Sequence, residues 1–299
     1  MPLPSTTWNG VPPMESSDVL QGYPRANGVW GVRNHTVVMS VVGCAAIVLQ
    51  QSRRDGVVMI PHQYGCGHIG TDVDAVNAGM SDALCHPNVG ASILVGLGCE
   101  SISGSELAAR IAAHGHDITY LGIQESGGTA STVDLVDTQI DRIQNASSGR
   151  SRVDMPAEEL TVGVVRPLDS RAAVVFEEIC QLLGEQGYRV VPIPLAAETG
   201  CGDILAALGD AASARAHIVL TVHAQFSPPQ ASPIVPVVAI GADEATVSAF
   251  GDDFDLDASR GLEPDALLDV VRSVISGRPS RTEQSGIAEF SIRHELRAL

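Results

Sequence analysis

Short apolar, β-branched runs alternate with segments of helical pattern through the first half of the chain. The four runs are HTVVMSVVG (35–43), GVVMIP (56–61), ASILVGLG (91–98) and DITYLGI (117–123). Helix-like segments follow them at 45–53, 71–84, 103–115 and 131–148. Strands that are apolar throughout and alternate with helices are typical of a parallel sheet covered on both faces. The pattern therefore predicts an α/β fold.

A polar stretch, residues 145–159, interrupts this alternation and is interpreted as a linker. The alternation then resumes with apolar runs at 160–165, 188–193, 217–223 and 233–241. We therefore predict two parallel-sheet α/β units with helices on both faces, an N-terminal unit over residues 20–150 and a C-terminal unit over 151–299. Residues 1–19, rich in Pro and Ser, are predicted to be a disordered lead-in.

The charge of the chain narrows the classes of partner. Eighteen Lys and Arg against 35 Asp and Glu give a net charge of −17. Such a surface repels phosphate backbones and anionic membranes, so neither nucleic acid nor a membrane is an expected partner. A small anionic substrate stays open, because a site needs only a few arginines placed locally.

The composition also predicts a cytoplasmic location. No run approaches the roughly 20 apolar residues of a membrane span, and the N-terminus lacks the basic start and apolar stretch of a signal peptide. Six cysteines without an export signal favour a reducing compartment. There a cysteine is buried, reactive or a metal ligand rather than half of a disulfide.

Residues able to do chemistry follow each of the four predicted strands of the first unit. They are Cys44 after the first, His62, Cys66 and His68 after the second, Cys99 and Glu100 after the third, and Gln124 and Glu125 after the fourth. In open parallel sheets, ligands bind outside the carboxyl ends of the strands. The unit that carries these motifs, residues 20–150, is therefore predicted to hold the main site.

Structural explanations compete with the functional one for each residue. A cysteine at a strand end is often a small buried hydrophobe, and His62 within HQYGCGHIG (62–70) is also consistent with a tight turn in which it bonds a loop carbonyl. Gly127-Gly128-Thr129 resembles an anion cradle before a helix, which alone is weak evidence. The constellation of four strand ends favours a functional site.

Several motifs resemble, in the same order, those of the altronate/galactarate dehydratase family, which includes the large subunit of sulfolactate sulfo-lyase. They are GYPRANGVWGVRNH (22–35), SVVGCAA, HQYGCG, HPNVGASILVGLGCE and IQESGGTAST in the first half, and GDDFDLDASRGL and SGRPSRTEQSGIAEFSI near the C-terminus. The resemblance covers most of residues 20–135 and 230–292.

Two departures from the family pattern bear on function. GVVRPLDSRAA (163–173) stands where family members carry a Cys-Gly-Gly type segment. The small β-rich domain that opens the longer members is also missing, so the resemblance implies a separate small β-rich partner subunit and an oligomer. The altered segment favours the rival interpretation, a non-catalytic subunit that binds a related acid.

The resemblance implies an iron-dependent lyase of sugar-acid metabolism. Such an enzyme removes water, or sulfite in the sulfo-lyase branch, from a small hydroxy acid and leaves a 2-oxo acid. Iron as mononuclear Fe²⁺ and iron as an iron–sulfur cluster both stay open. The predicted roles are catalysis by His62 and Glu100, iron binding by Cys44, Cys66 and Cys99, and substrate binding by Arg25, Arg33, Asn34, Gln124, Glu125, Gly128 and Thr129.

Overall fold

The structure is a computed structural model that describes residues 19–52, 54–68, 70–195, 202–286 and 288–292. Residues 1–18 of the predicted lead-in lie outside the described residues. No helix in the described part of the chain is long and apolar enough to cross a bilayer.

The first parallel sheet has four strands in the order β4-β3-β5-β6. The strands are β3 (His35–Ser40), β4 (Val57–Ile60), β5 (Val89–Gly96) and β6 (Ile118–Gly122), and the helices after them are α1 (Ala46–Gln51), α2 (Thr71–Leu84), α3 (Gly104–Ala113) and α4 (Thr129–Ser147). Along β3, Val37 and Met39 enter one core cluster and Val38 enters another, all with no exposed surface. Both faces of this sheet are therefore covered, because successive strand residues point to opposite faces.

The second parallel sheet has five strands in the order β12-β11-β10-β8-β9. The strands are β8 (Thr161–Arg166), β9 (Arg189–Pro194), β10 (Ile218–His223), β11 (Val237–Gly241) and β12 (Leu256–Asp257). The helices are α5 (Ser170–Glu185), α6 (Gly202–Ser213), α7 (Glu244–Phe250), α8 (Pro264–Ile275) and α9 (Arg281–Ser285). The predicted α/β class is confirmed.

A small antiparallel sheet joins the start of the chain to the predicted linker. It contains β1 (Gln21–Pro24), β2 (Trp30–Gly31) and β7 (Val153–Asp154), in the order β2-β1-β7. The linker is therefore partly ordered, because β7 pairs back onto β1.

One buried cluster spans both parallel sheets. It contains Met39 and Leu94 of the first sheet together with Val165 of β8 and Leu208 of α6. The two sheets are thus packed into one body, and the division into units near residue 150 stays a prediction.

Candidate active site

We call the end of the first sheet at which β3 to β6 finish the carboxyl edge, and the opposite end the amino edge. The loops after β3, β4 and β5 touch one another at the carboxyl edge. Ser101 N–H donates to the Gly65 carbonyl at 3.2 Å. Gly65 has φ +96° and lies so close to the Val41 carbonyl that a Cβ there would collide with it. The structure thus brings together the loops that carry Cys44, Cys66 and Cys99.

The three thiols are exposed, whereas Cys85 is buried. Exposure at neighbouring loops does not favour the interpretation of these cysteines as buried hydrophobes. Among the described residues, however, no group of three or more His, Cys, Asp or Glu side chains lies close enough together to hold a metal ion. The thiols therefore share one edge without forming a metal centre in this arrangement.

Glu100 organises the loop that follows β5. Its Oε2 accepts backbone N–H groups from Leu97 at 3.2 Å, Gly98 at 2.6 Å and Cys99 at 3.0 Å. Three donors occupy the lone pairs of this oxygen. This oxygen therefore holds the Cys99 loop, which does not favour the predicted use of Glu100 as the base.

Two carboxylates and a phenol meet at the ends of β5 and β6. The Tyr120 hydroxyl lies next to Gly96 together with Glu100 Oε1. It also lies next to Gly122, where it is near Glu125 Oε2. Burial, followed by the charges of Glu100 and Glu125, raises the pKa of Tyr120. Tyr120 was not predicted from the sequence, because it lies inside a strand pattern that packing alone explains.

The remaining predicted residues at this edge come after β6. The Gln124 side chain lies against Gly98 of the Cys99 loop. Gly128, with φ +108°, is the residue before α4, and Thr129 is the first residue of that helix. Gln124, Glu125, Gly128 and Thr129 therefore share the carboxyl edge with the thiols.

His62 is buried at the end of β4, with 4% of its surface exposed. Its ring contacts the rings of Tyr64 and Phe290, at centroid distances of 5.4 and 5.8 Å. Its Nδ1 accepts the Tyr64 N–H at 3.1 Å, and burial lowers its pKa to about 4. Both features oppose its predicted role as a general base, since the accepting nitrogen is already occupied.

Arg25, Arg33 and Asn34 are at the amino edge, before β3. Because β3 is six residues long, about 20 Å separates this edge from Cys44. Arg25 donates to Asn34 Oδ1 at 2.6 Å, to the Pro87 carbonyl at 2.8 Å and to the Arg33 carbonyl at 2.7 Å. The expectation that these residues join the strand-end site is therefore corrected.

Arg33 is the cation of a buried ion pair that links distant parts of the chain. Its Nε and Nη2 bond the two carboxylate oxygens of Glu283 at 2.9 and 2.8 Å. The guanidinium also donates to the carbonyls of Val32, Val274 and Arg278. With its donors used by the protein, Arg33 is reassigned from substrate binding to holding the fold.

The altered segment 163–173 forms an ordinary strand and helix start. Asp169 caps α5 by accepting N–H groups from Arg171 at 2.9 Å and Ala172 at 3.0 Å. Arg166 lies over the Phe176 ring, 4.6 Å from its centroid. The described contacts of this segment are those of a helix cap and its packing.

Sequence reasoning missed the C-terminal segment 288–292, which contacts the predicted site directly. Phe290 packs on His62, and Ile292 N–H donates to the Tyr64 hydroxyl at 3.3 Å. Glu289 lines two cavities, one of about 340 Å³ beside His62 and one of about 470 Å³ beside Arg281. The one sequence feature that pointed to this segment was the resemblance of SGRPSRTEQSGIAEFSI to a closing motif of the family. That resemblance did not assign a role to any residue.

Comparison with known proteins finds a family model that is similar to part of the chain. Residues 22–148 match the family model described as D-galactarate dehydratase/Altronate hydrolase, second domain. These residues are therefore similar to the second domain of the altronate/galactarate dehydratase family. The predicted resemblance is confirmed over that segment, which contains all of the predicted site residues.

Three curated relatives extend this result. The altronate dehydratase of Bacillus subtilis (strain 168) is 31% identical over 158 residues, which cover 48% of this chain and 31% of that protein. The altronate dehydratase of Escherichia coli (strain K12) is 33% identical over 103 residues, 30% of this chain and 21% of that protein. The (2R)-sulfolactate sulfo-lyase subunit beta of Chromohalobacter salexigens is 36% identical over 78 residues, 25% of this chain and 20% of that protein. The matches thus cover about a third of these relatives or less.

Proposed function

We propose that this chain, whose residues 22–148 match the altronate/galactarate dehydratase family, is a hydro-lyase that removes water from a sugar acid and produces a 2-oxo acid. The observation that carries the proposal is the convergence of Glu100, Tyr120 and Glu125 at the carboxyl edge, inside the segment that matches the family model. Carboxylates near a phenol provide a base and a proton donor, which β-elimination requires.

Glu125 is the side chain we assign to proton abstraction from the carbon beside the substrate carboxylate. It is exposed, whereas Oε2 of Glu100 is held by three N–H groups. Tyr120, whose pKa is raised, stays protonated and supplies a hydrogen bond or proton to the departing hydroxyl. Gln124 and Thr129 bind substrate oxygens at the same edge.

Iron remains a proposal of the family resemblance. Exposed thiols on three adjacent loops have the donor atoms that iron prefers, but the described residues do not place three ligands together. As they stand the residues do not fit a metal centre, so binding requires the loops to draw closer.

Iron and acid-labile sulfide measured on protein purified without oxygen test this proposal. Iron with sulfide, lost when Cys44, Cys66 and Cys99 are all replaced by Ser, supports a cluster. Iron without sulfide supports a mononuclear site, and iron unchanged in the variant argues against these ligands.

The activity is tested by incubating the full chain with altronate and with galactarate and measuring 2-oxo acid release. Glu125→Gln is expected to lower kcat at least about 100-fold, the usual size of an acid–base contribution. Glu178→Gln is a matched control on the exposed surface of α5. Wild-type turnover in Glu125→Gln would remove Glu125 from the mechanism.

The similarity to a sulfo-lyase subunit favours a second candidate, elimination of sulfite from a sulfo-hydroxy acid. Sulfite release from sulfolactate, measured beside the altronate assay, distinguishes the two. The name of that relative also supports a partner subunit, which we propose to be small and β-rich. Binding of an acid without turnover would favour the non-catalytic subunit, and a cytoplasmic location and an oligomer stay predictions.

A further inference from the structure

The cavity of about 470 Å³ beside α9, here called the Arg281 cavity, is formed by several distant parts of the chain. Its apolar lining includes Leu205 of α6 together with Pro228 and Pro229 from the loop after β10. Its charged lining residues are Asp253, Arg281 and Glu289. Pockets of about 300–1,000 Å³ that combine apolar walls with a few polar groups are typical sites for small molecules.

The apolar part of the lining is stiff and offers few hydrogen-bond donors. Pro228 and Pro229 have no backbone N–H, and their rings fix φ. Both prolines are only partly buried, and so is the branched side chain of Leu205. Covering such surface with an apolar group is favourable, because it removes that surface from water. This part of the cavity therefore fits the apolar portion of a ligand.

Arg281 brings a guanidinium group to the cavity that no described carboxylate pairs with. Its backbone N–H, rather than its side chain, donates to Asp255 Oδ1 at 2.9 Å. Its charge lowers the pKa of Asp255 from a distance, but burial of that carboxyl has the larger, opposite effect. None of the ion pairs closer than 4 Å in the described part of the chain includes Arg281. Its planar donors therefore suit the carboxylate of a ligand.

The backbone that carries Arg281 is fixed by hydrogen bonds on both sides of it. Ser280 and Glu283 form a capping box at the start of α9. The Thr282 hydroxyl donates to the Val237 carbonyl of β11 at 2.8 Å. Because this backbone is already ordered, less conformational freedom is lost when the guanidinium binds a ligand, which favours affinity.

Asp253 and Glu289 bring two exposed carboxylates to the same cavity. Neither forms an ion pair with Arg281 among the described residues. A ligand with a carboxylate alone would be repelled by both acids and by the net charge of −17. A ligand with an amine alone would be repelled by Arg281. A ligand that carries both charges matches all three side chains.

We propose that the Arg281 cavity binds a free α-amino acid with an apolar side chain. The carboxylate of the amino acid pairs with Arg281, and its ammonium group pairs with Asp253 and Glu289. Its side chain packs on the apolar lining. Such a ligand is not the hydroxy acid of the proposed function, so the inference goes beyond that function and does not depend on it.

L-Leucine tests the cavity against two analogues that each lack one of its charges. 4-Methylpentanoate has no ammonium group and 3-methylbutylamine has no carboxylate, whereas both keep the branched chain. Calorimetry on the full chain is expected to show L-leucine binding at least about tenfold more tightly than either analogue, because each analogue loses charge-assisted hydrogen bonds. Absence of L-leucine binding, or equal binding of either analogue, overturns the proposal.

Two substitutions assign the binding of L-leucine to this cavity. Arg281→Gln is expected to weaken it at least about tenfold without weakening the binding of 3-methylbutylamine, which has no carboxylate to lose. Asp253→Asn is expected to weaken it about threefold or more, since Glu289 stays in place. Thermal unfolding of Arg281→Gln should match that of the wild type, because the side chain forms no ion pair among the described residues. Unchanged L-leucine affinity in Arg281→Gln overturns the proposal.

Arg260→Gln and Asp252→Asn are the matched controls, because each removes the same charge outside the cavity lining. Arg260 is 87% exposed and pairs with Glu244, and Asp252 is exposed beside Asp253. Both variants are expected to bind L-leucine as the wild type does, and an equal loss in them would overturn the assignment to the cavity. Since binding is measured without turnover, these results hold whether or not the chain dehydrates a hydroxy acid.

Discussion

The two edges of the first parallel sheet carry motif residues of similar kinds but differ in how their polar groups are satisfied. At the amino edge, Asn88 is fully buried and uses both ends of its amide. Its Oδ1 accepts from Val32 N–H at 2.9 Å and its Nδ2 donates to the His217 carbonyl at 3.0 Å. At the carboxyl edge, three thiols and the carboxylate of Glu125 are exposed.

This difference separates residues that hold the fold from residues available to a ligand. From the sequence, Arg33 is predicted to bind a substrate carboxylate. In the structure its guanidinium is already paired with the carboxylate of Glu283. At the carboxyl edge, Cys44, Cys66 and Cys99 are instead exposed to solvent. Satisfaction of polar groups, rather than residue type, therefore distinguishes the two edges.

The largest effect is expected from acid, because buried neutral histidines lie at both edges of the first sheet and in the second sheet. Burial lowers the pKa of His35, His62 and His223 to about 4 and that of His86 to about 3. Unfolded histidine titrates near 6.5, so between these values the unfolded chain binds more protons. The stability contribution is fully present above about pH 6.5 and is lost as pH falls toward 4. Urea unfolding across this range should show a total loss of several kcal/mol.

His223→Gln should make the pH dependence of the free energy of unfolding shallower by about one proton. A free energy of unfolding that stays constant between about pH 6.5 and 4.5 would show that these rings are not held neutral.

Arg33→Ala tests the amino edge by removing one member of a buried ion pair. The side chains of Arg33 and Glu283 are only 9% and 19% exposed. Leaving Glu283 buried and unpaired is expected to cost about 3–5 kcal/mol in the free energy of unfolding. Arg260→Ala, which breaks a pair whose members are 87% and 71% exposed, should cost less than about 1 kcal/mol. Unchanged stability with lost acid binding would restore Arg33 as a substrate clamp.

Gly65→Ala tests the contact between the carboxyl-edge loops. Gly65 has φ +96° and its added Cβ would collide with the Val41 carbonyl. The strain is expected to cost about 1–3 kcal/mol and to lower iron binding or turnover. Gly67→Ala is the control, because Gly67 also has a positive φ of +77° but has nothing within 4 Å of an added Cβ. Equal effects of the two substitutions would mean that loop contact is unimportant.

The cysteines are expected to differ in their rates of alkylation. Alkylation of the exposed ones should change the free energy of unfolding very little. Exposed Cys44, Cys66 and Cys99 should be alkylated first by iodoacetamide. Burial raises the pKa of Cys85, and burial together with Glu177 raises that of Cys180 to about 11. At equal pH, Cys180 should react about 100-fold more slowly than a thiol of ordinary pKa, because its thiolate fraction is smaller. Peptide mapping by mass spectrometry measures each rate, and rapid labelling of Cys85 would contradict its burial.

The strands of the first sheet were predictable because their apolar runs are local. The run at 56–61 contains β4, and that at 117–123 contains β6. The small antiparallel sheet was missed, because two-residue strands such as β2 and β7 are too short to show a period. The end of α4 at Ser147 and the pairing of β7 also gave structure to a stretch that composition alone marks as a linker.

The sequence by itself determined the α/β class and the shared position of the strand-end residues, because all strands of a parallel sheet finish at one edge. Only the tertiary structure decided which polar groups are already satisfied. Glu283 is 250 residues from Arg33 and Phe290 is 228 residues from His62, so no local sequence pattern predicts either contact. Hydrogen-bond partners are chosen by position in space, and a side chain's availability for chemistry depends on those partners.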